Sequence, residues 1–134
     1  MTRICLDTSA YSQFQRGSPE AVQAITGARS VLVPAVALGE IRAGFLLGSH
    51  ADRNERALAE FLAHPAVRIL DVDDETATVW ADLFADLRRA GTPVPTNDLW
   101  IAASAVREGA TVLTYDEHFR SIARVGCRVL AEAR

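Results

Sequence analysis

The stretch RICLDTS, residues 3–9, contains the pattern from which the fold can be predicted. Its first four residues form a short, mostly apolar run that is typical of a strand buried in a parallel sheet. Asp7, Thr8 and Ser9 then end the run, and a helix is predicted from Ala10 to Arg16. The chain therefore begins with a strand, a polar turn and a helix, which is the repeating pattern of an α/β fold.

The same alternation continues along the chain. Further strands are predicted at 30–33, 67–72, 111–114 and 128–130, and further helices at 18–25, 34–47, 51–63, 73–89 and 117–123, with one more capped by Thr96 or Asn97 and closed by Gly109. Strands separated by helices favour a parallel sheet with helices on both faces. No internal repeat, low-complexity tract or linker is evident, so we predict a single domain over residues 1–134.

Composition indicates a soluble, cytoplasmic globular protein. The chain is 49% hydrophobic and 23% charged, and its longest nearly apolar run, 31–38, is far too short to span a bilayer. No signal-peptide pattern precedes Asp7. Cys5 and Cys127 lie in apolar runs without a CxxC pair, so we interpret both as buried hydrophobic residues rather than zinc ligands.

Net charge leaves a nucleic-acid partner open. The formal charge of −3 lacks the basic excess that phosphate binding usually requires. If four carboxylates belong to one metal site, however, the rest of the chain carries +1. All 14 basic residues are arginines, which suit bidentate phosphate contacts, although a biased genome composition explains the absence of lysine equally well.

Four acids are predicted to meet at one edge of the sheet. Asp7 and Asp116 each follow a predicted strand, and the carboxyl ends of parallel strands lie at the same edge. Asp98 is in the first turn of a helix that a loop returns to that edge, and Glu40 lies in the helix after the second strand. Converging carboxylates repel one another unless a cation neutralises them, and oxygen ligands favour Mg²⁺ or Mn²⁺.

Each acid also has an ordinary structural explanation. Asp7 and Asp116 could cap the helices that follow them, and Asp98 is favourable at a helix N-terminus. Glu40 could be a solvated residue in the middle of a helix. Taken singly, these explanations are at least as good as the functional one, so only the conjunction of the four acids indicates a site.

Four segments resemble motifs of the PIN-domain family, and within it the VapC-type toxins of toxin–antitoxin pairs. They are Leu6-Asp7-Thr8-Ser9, Ala37-Leu38-Gly39-Glu40-Ile41, Asn97-Asp98-Leu99-Trp100-Ile101-Ala102-Ala103, and Leu113-Thr114-Tyr115-Asp116-Glu117-His118-Phe119. The resemblance implies a three-layer α/β/α fold with a mainly parallel central sheet. It also implies Mg²⁺- or Mn²⁺-dependent endoribonuclease activity, a VapB-like antitoxin that blocks the site, and frequent homodimerisation.

The resemblance also assigns residues to the site. Carried over position by position, the metal-binding and catalytic acids are Asp7, Glu40, Asp98 and Asp116. The hydroxyl positions near the metal are Thr8, Ser9 and Thr114.

Other polar and aromatic residues receive weaker interpretations. We expect a surface or structural role for His118, although its ordinary pKa would suit a general base. Trp80 and Trp100 are interpreted mainly as core or interface residues, with base stacking as an alternative. Three arginines could contact phosphate if they face the acidic edge; they are Arg42, Arg120 and Arg124.

Two other functions remain open from the sequence. An aspartate after the first strand can act as the nucleophile of a Mg²⁺-dependent phosphatase, but Ser9 stands where such enzymes carry a second acid. A catalytically silent module that binds RNA or protein would keep the fold, although the loss of an acid would have favoured it and all four are present.

Overall fold

The computed structural model describes residues 2–131, and the predicted alternation of strands and helices is confirmed there. The strands are β1 Arg3–Leu6, β2 Ser30–Pro34, β3 Val67–Leu70, β4 Thr111–Thr114 and β5 Cys127–Val129. The helices are α1 Thr8–Gln15, α2 Pro19–Thr26, α3 Ala35–Leu47, α4 Ala51–Leu62, α5 Asp74–Ala90 and α6 Thr96–Glu108, and a 3₁₀ helix covers Glu117–Ser121. Within this part of the chain, no helix is both long and apolar enough to cross a membrane.

The five strands form one parallel sheet in the order β3-β2-β1-β4-β5. In the centre, Cys5 of β1 is in register with Leu32 of β2 and Val112 of β4. The chain leaves β1 towards β2 on one side and later returns to β4 on the other. The carboxyl ends of β1 and β4 therefore border the point where the strand order reverses, which is where open α/β sheets bind ligands.

Helices cover both faces of the sheet, as the predicted α/β/α architecture requires. Cys5, Leu32 and Val112 point into one core, which they share mainly with α5 and α6. The neighbouring positions Ile4 and Leu113 point into the other core, with α1, α2 and α4. Because both faces are buried, the central strands are almost continuously apolar instead of alternating with polar residues.

Several predicted boundaries were wrong by a few residues. Helix α1 begins at Thr8 rather than Ala10, because the Asp7 carboxylate accepts a hydrogen bond from the Ala10 N–H and caps the helix. Pro95, not Thr96 or Asn97, is the N-cap of α6, with no side-chain cap bond. The strand predicted to end at 72 ends at Leu70, and the helix predicted to end at 123 ends at Ser121.

One burial prediction was also wrong. Cys5 is fully buried in the central strand, as expected, but Cys127 is only half-buried. Its strand, β5, is at the edge of the sheet and pairs only with β4, so it has a neighbouring strand on one side only.

The connection from α5 to α6 brings Asp98 to the carboxyl edge of the sheet. Gly91 ends α5 in the left-handed conformation, with φ of 71°, which a residue without Cβ adopts at little cost. The loop that follows is short, and α6 starts at Thr96, so that Asp98 falls in its first turn. The predicted stop at Gly91 and the predicted first-turn position of Asp98 are both confirmed.

Candidate active site

Asp7 is the most buried of the four predicted acids, with only 5% of its surface exposed. Its Oδ1 accepts hydrogen bonds from the Ala10 N–H at 2.9 Å and the Ser9 hydroxyl at 2.8 Å. Its Oδ2 accepts a bond from the Thr114 hydroxyl at 2.5 Å and lies 3.0 Å from the same Ser9 hydroxyl. The carboxylate is therefore fixed in orientation by α1 on one side and by the end of β4 on the other.

The two hydroxyl groups that hold Asp7 are themselves held by the backbone after β4. The Tyr115 N–H donates to Ser9 Oγ at 3.0 Å, and the Asp116 N–H donates to Thr114 Oγ1 at 2.9 Å. Each hydroxyl thus accepts from the β4 loop and donates to Asp7. This chain of bonds links the ends of the two strands that border the switch point.

Glu40 comes to the same edge from α3. Its Oε1 accepts a hydrogen bond from the Thr8 hydroxyl at 2.8 Å, and its Oε2 lies 3.5 Å from the Asn97 amide nitrogen. The first residue of α1 and the first turn of α6 therefore both contact this carboxylate. Such contacts distinguish Glu40 from a freely solvated residue in the middle of a helix.

Asp98 and Asp116 meet around His118. The His118 Nδ1 atom lies 3.1 Å from Asp116 Oδ1 and 3.5 Å from Asp98 Oδ2. The His118 N–H donates to Asp116 Oδ1 at 2.9 Å, so Asp116 also caps the 3₁₀ helix. The capping explanations for Asp7 and Asp116 are correct, and they are compatible with a shared site because the caps themselves orient the carboxylates.

The electrostatics show how close the acids are to one another. Burial raises the pKa of the Asp7 carboxyl, against the lowering effect of its hydrogen bonds, and the charge of Asp116 raises it further. Burial also raises the pKa of Asp98, and the charges of Asp116, Asp7 and Glu40 add to the increase. Asp98 therefore experiences the charges of the other three acids, and its ionised form is unfavourable there without a counter-charge.

The donor set fits a divalent cation. A carboxylate offers about four acceptor positions, and three protein donors contact Asp7: the Ser9 and Thr114 hydroxyls and the Ala10 N–H. The Ser9 hydroxyl lies near both oxygens but has a single hydrogen, so the three donors supply three hydrogens for the four acceptor positions. Asp98, Asp116 and His118 each offer a ligand atom, and these atoms all lie within 4.8 Å of one another. Carboxylate oxygens with partial solvent access suit a hard cation that retains several waters.

Two contacts of the site were not predicted from the sequence. His118 is on the surface, as expected, with 57% of its side chain exposed, but its ring contacts both Asp98 and Asp116. Asn97, which was considered only as a helix cap, contacts Glu40. In the sequence, the only indication was that Asn97 is next to Asp98 and that His118 is two residues from Asp116. Closeness along the chain does not show which way a side chain points.

The remaining candidates lie outside the acidic cluster. The three arginines considered for phosphate contact each pair with another acid: Arg42 with Glu55, Arg120 with Glu117, and Arg124 with Asp86. Trp80 and Trp100 stack with ring centroids 5.0 Å apart, and Trp80 packs against the core beneath α5 and α6. The interpretation of the tryptophans as packing residues is supported.

Comparison with known proteins identifies the family. The profile of the PIN domain matches residues 4–125, a span that includes β1 from its second residue, β2 to β4 and all six α-helices, but not β5. This chain belongs to the PIN-domain family. All four predicted acids lie inside the matched span of this PIN domain.

Two relatives of this PIN domain are named as ribonucleases. The ribonuclease VapC4 of Mycobacterium tuberculosis is 37% identical over 90 residues, which cover 67% of this chain and 69% of that protein. The ribonuclease VapC5 of the same organism is 34% identical, and the match covers 87% of this chain and 85% of that protein.

A solved structure from the same family has a similar fold. This PIN domain matches a chain in the crystal structure of VapBC-5 from Mycobacterium tuberculosis, a member of the VapBC family of toxin–antitoxin systems. The TM-score is 0.74 and the identity 32%, and the match covers 97% of this chain and 100% of that chain. The predicted α/β/α fold is confirmed by this likeness and by the parallel sheet.

Proposed function

We propose that this PIN domain is the toxin of a type II toxin–antitoxin pair and hydrolyses RNA phosphodiesters as an endoribonuclease. The observation that carries the proposal is the meeting of Asp7, Glu40, Asp98 and Asp116 at the switch point of the sheet. The likeness to ribonucleases VapC4 and VapC5 supports RNA as the substrate. The proposed activity resides in one domain, because a single sheet and its helices supply all the site residues.

We assign a Mg²⁺ or Mn²⁺ site to the four acids. When bound, the cation would supply the activation of water and the neutralisation of charge that phosphodiester hydrolysis needs. Asp7 is the anchor of the site, because its carboxylate is buried and fixed by three hydrogen-bond donors. Asp98 and Asp116 are more exposed and both contact His118, and their exposure supports a role on the side of the site that the RNA approaches.

Glu40 is proposed to orient the attacking water. The Thr8 hydroxyl and the Asn97 amide orient its two carboxylate oxygens. A carboxylate held in this way can accept a proton from an attacking water. We therefore assign Glu40 a role in orienting water as well as in binding the cation.

The alternative phosphatase mechanism is less well supported. A nucleophilic aspartate must be able to reach the phosphorus atom, whereas Asp7 is 5% exposed and hydrogen-bonded through both oxygens. Ser9 occupies the position of the second acid and donates to Asp7. The structure gives no support to the silent binding module either, because all four acids are oriented by specific contacts.

The partners follow from the proposed function. A VapB-like antitoxin is proposed to cover the acidic edge, and the likeness to VapBC-5, from a toxin–antitoxin family, supports such a partner. Homodimerisation and a cytoplasmic location, where RNA and antitoxin are both available, complete the proposal.

The decisive experiment is an RNA cleavage assay with purified protein freed of its partner. Total RNA is incubated with Mg²⁺ or Mn²⁺, with EDTA, and with the Asp98→Asn variant. Asp74→Asn is the matched control, because Asp74 is also an exposed acid in the first turn of a helix but follows Asp73, which pairs with Arg107 at the end of α6 opposite to Asp98. We expect discrete cleavage that EDTA and Asp98→Asn abolish and Asp74→Asn preserves. Full activity of folded Asp98→Asn would rule out this mechanism.

A further inference from the structure

His118 faces the acidic cluster because the short helix around it is anchored from the other side. Phe119, the next residue, is fully buried in the core on the α5 and α6 side of the sheet. The backbone N–H of His118 donates a hydrogen bond to the Asp116 carboxylate. The first turn of the 3₁₀ helix is therefore fixed by this bond at His118 and by burial at Phe119. The imidazole is thereby directed along the surface towards Asp98 and Asp116, with 57% of the side chain exposed.

Two of the three separations among these side chains match those between neighbouring corners of an octahedral metal site. With metal–ligand distances of about 2.1 Å, adjacent donors in an octahedron are about 3.0 Å apart and opposite donors about 4.2 Å apart. His118 Nδ1 lies 3.1 Å from Asp116 Oδ1 and 3.5 Å from Asp98 Oδ2. These two separations are close to those of adjacent donors. The ligand atoms of Asp98 and Asp116 lie within 4.8 Å of each other, so rotation of these side chains brings all three atoms within reach of a single cation.

A nitrogen ligand changes which cation the site favours. Mg²⁺ prefers oxygen ligands throughout, whereas imidazole suits transition-metal ions. An Asp98–Asp116–His118 set therefore favours a transition-metal ion more than an all-carboxylate set does. The acids alone leave Mg²⁺ and Mn²⁺ open, and His118 is the feature on which the choice depends.

We propose that His118 binds the cation through Nδ1 and makes this site select Mn²⁺ over Mg²⁺. The inference rests on the proposed function, because it concerns the same metal site. It adds a ligand that is not one of the four acids, and it assigns the identity of the cation.

A different role for His118 would produce the same distances without metal binding. The imidazole could donate a hydrogen bond to Asp116 and merely position that carboxylate. Asparagine separates the two roles, because its Nδ2 can replace the donor at Nδ1, whereas the only atom it can offer a cation is an oxygen, so the nitrogen ligand is lost. His118→Asn should therefore preserve the site if His118 only positions Asp116, and weaken it if His118 binds the cation.

The test measures metal binding directly rather than activity. Chelator-stripped full-length protein is titrated with Mn²⁺ while electron paramagnetic resonance reports free Mn²⁺, and Mg²⁺ competition gives the affinity for Mg²⁺. Electron spin-echo envelope modulation of the bound Mn²⁺ then reports a coordinated ¹⁴N nucleus. His50→Asn is the matched control, because His50 is also exposed and makes no side-chain cap bond.

We expect ¹⁴N modulation in the wild type and in His50→Asn, and its loss in His118→Asn. The Mn²⁺ affinity of His118→Asn should fall by at least about tenfold, since even outer-shell partners have effects of that size. The Mg²⁺ affinity should change much less, so the preference for Mn²⁺ should shrink.

The possible failures are distinguishable. Bound Mn²⁺ without ¹⁴N modulation in the wild type would overturn the role of His118 and leave the proposed ribonuclease intact. Unchanged Mn²⁺ affinity and selectivity in His118→Asn would also overturn metal binding by His118 and would indicate that it only positions Asp116. The proposed ribonuclease would again be unaffected. If wild-type protein bound neither cation at millimolar concentration, the metal mechanism of the proposed function would itself fail, and this inference with it.

Discussion

The Thr114 hydroxyl donates a 2.5 Å hydrogen bond to Oδ2 of Asp7 and so joins the end of β4 to the end of β1. Thr114 is fully buried and Asp7 is 5% exposed, so this contact is shielded from bulk water. The same Thr114 oxygen accepts the Asp116 N–H. One hydroxyl therefore couples two of the proposed metal-binding acids, and this coupling makes the position of each acid depend on the other.

Replacing Thr114 with valine tests this coupling. The shape is nearly conserved, but Asp7 loses a donor and the Asp116 N–H loses its acceptor. An unsatisfied buried polar group costs about 1–3 kcal/mol, so we expect the melting temperature to drop by about 5 °C or more. Thermal unfolding monitored by circular dichroism measures the change. Thr114→Ser, which keeps the hydroxyl, should retain most of the stability, and equal losses in both variants would show that packing rather than the hydrogen bond is responsible.

Asp98→Asn is expected to stabilise the protein when no cation is present. Folding raises the pKa of Asp98, mainly through burial and the charge of Asp116, so its ionised form opposes folding at neutral pH. This penalty disappears once the pH is below the pKa that Asp98 has in the unfolded chain, because the carboxyl group is then protonated in both the folded and the unfolded state. In EDTA at pH 7 the variant should therefore melt above the wild type, and near pH 3 the two should converge.

Excess Mn²⁺ should reverse that order, because a cation that binds only the folded wild-type site raises its melting temperature. Differential scanning calorimetry at two pH values, with and without Mn²⁺, measures both effects. A variant that is less stable than the wild type in EDTA at pH 7 would contradict the assignment of Asp98 to a repulsive acidic cluster.

Thr8→Val tests the orientation of Glu40. The Thr8 hydroxyl donates to Glu40 Oε1 at 2.8 Å, and its loss leaves that carboxylate with the longer Asn97 contact. Loss of a partner that orients a metal-site ligand typically costs about 10–100-fold in activity, so kcat/KM for RNA cleavage should fall by at least about tenfold. Thr8→Ser keeps the donor and should stay within a few-fold of the wild type. Undiminished activity of Thr8→Val would show that Glu40 does not depend on this contact.

Asp73→Ala tests a stabilising contact remote from the site. Hydrogen bonds from the backbone and hydroxyl of Thr76, followed by Arg107, lower the pKa of Asp73 to about 2. Because the folded pKa is below the ordinary value of 3.8, ionised Asp73 stabilises the fold above that pH, and the contribution is lost as the pH falls towards 2.

The variant should consequently melt below the wild type at pH 7, and the difference should shrink through the window from about pH 4 to about pH 2. Asp74→Ala is the matched control, since Asp74 is exposed in the same turn of α5. A difference in melting temperature that does not depend on pH would indicate that the cap acts through something other than the charge of Asp73.

Much of the fold could be predicted from local patterns. Apolar runs such as 30–33 and 111–114 matched β2 and β4 within a residue, because a strand buried on both faces has almost no polar positions. Gly91 and Gly109 were correctly predicted to end helices, since both adopt the left-handed conformation. Two of the errors have an identified cause: the Asp7 cap moves the start of α1 to Thr8, and the edge position of β5 leaves Cys127 half-buried.

The sequence by itself determined which residue types are available and which of them follow strands or begin helices. Asp7, Asp98 and Asp116 were predicted at one edge because parallel strands and their following helices share a direction. Only the tertiary structure decided the strand order, the contact between residues as distant as Asp7 and Thr114, and the direction of His118. These features depend on how buried side chains pack across the whole sheet, and neighbours along the chain do not contain that information.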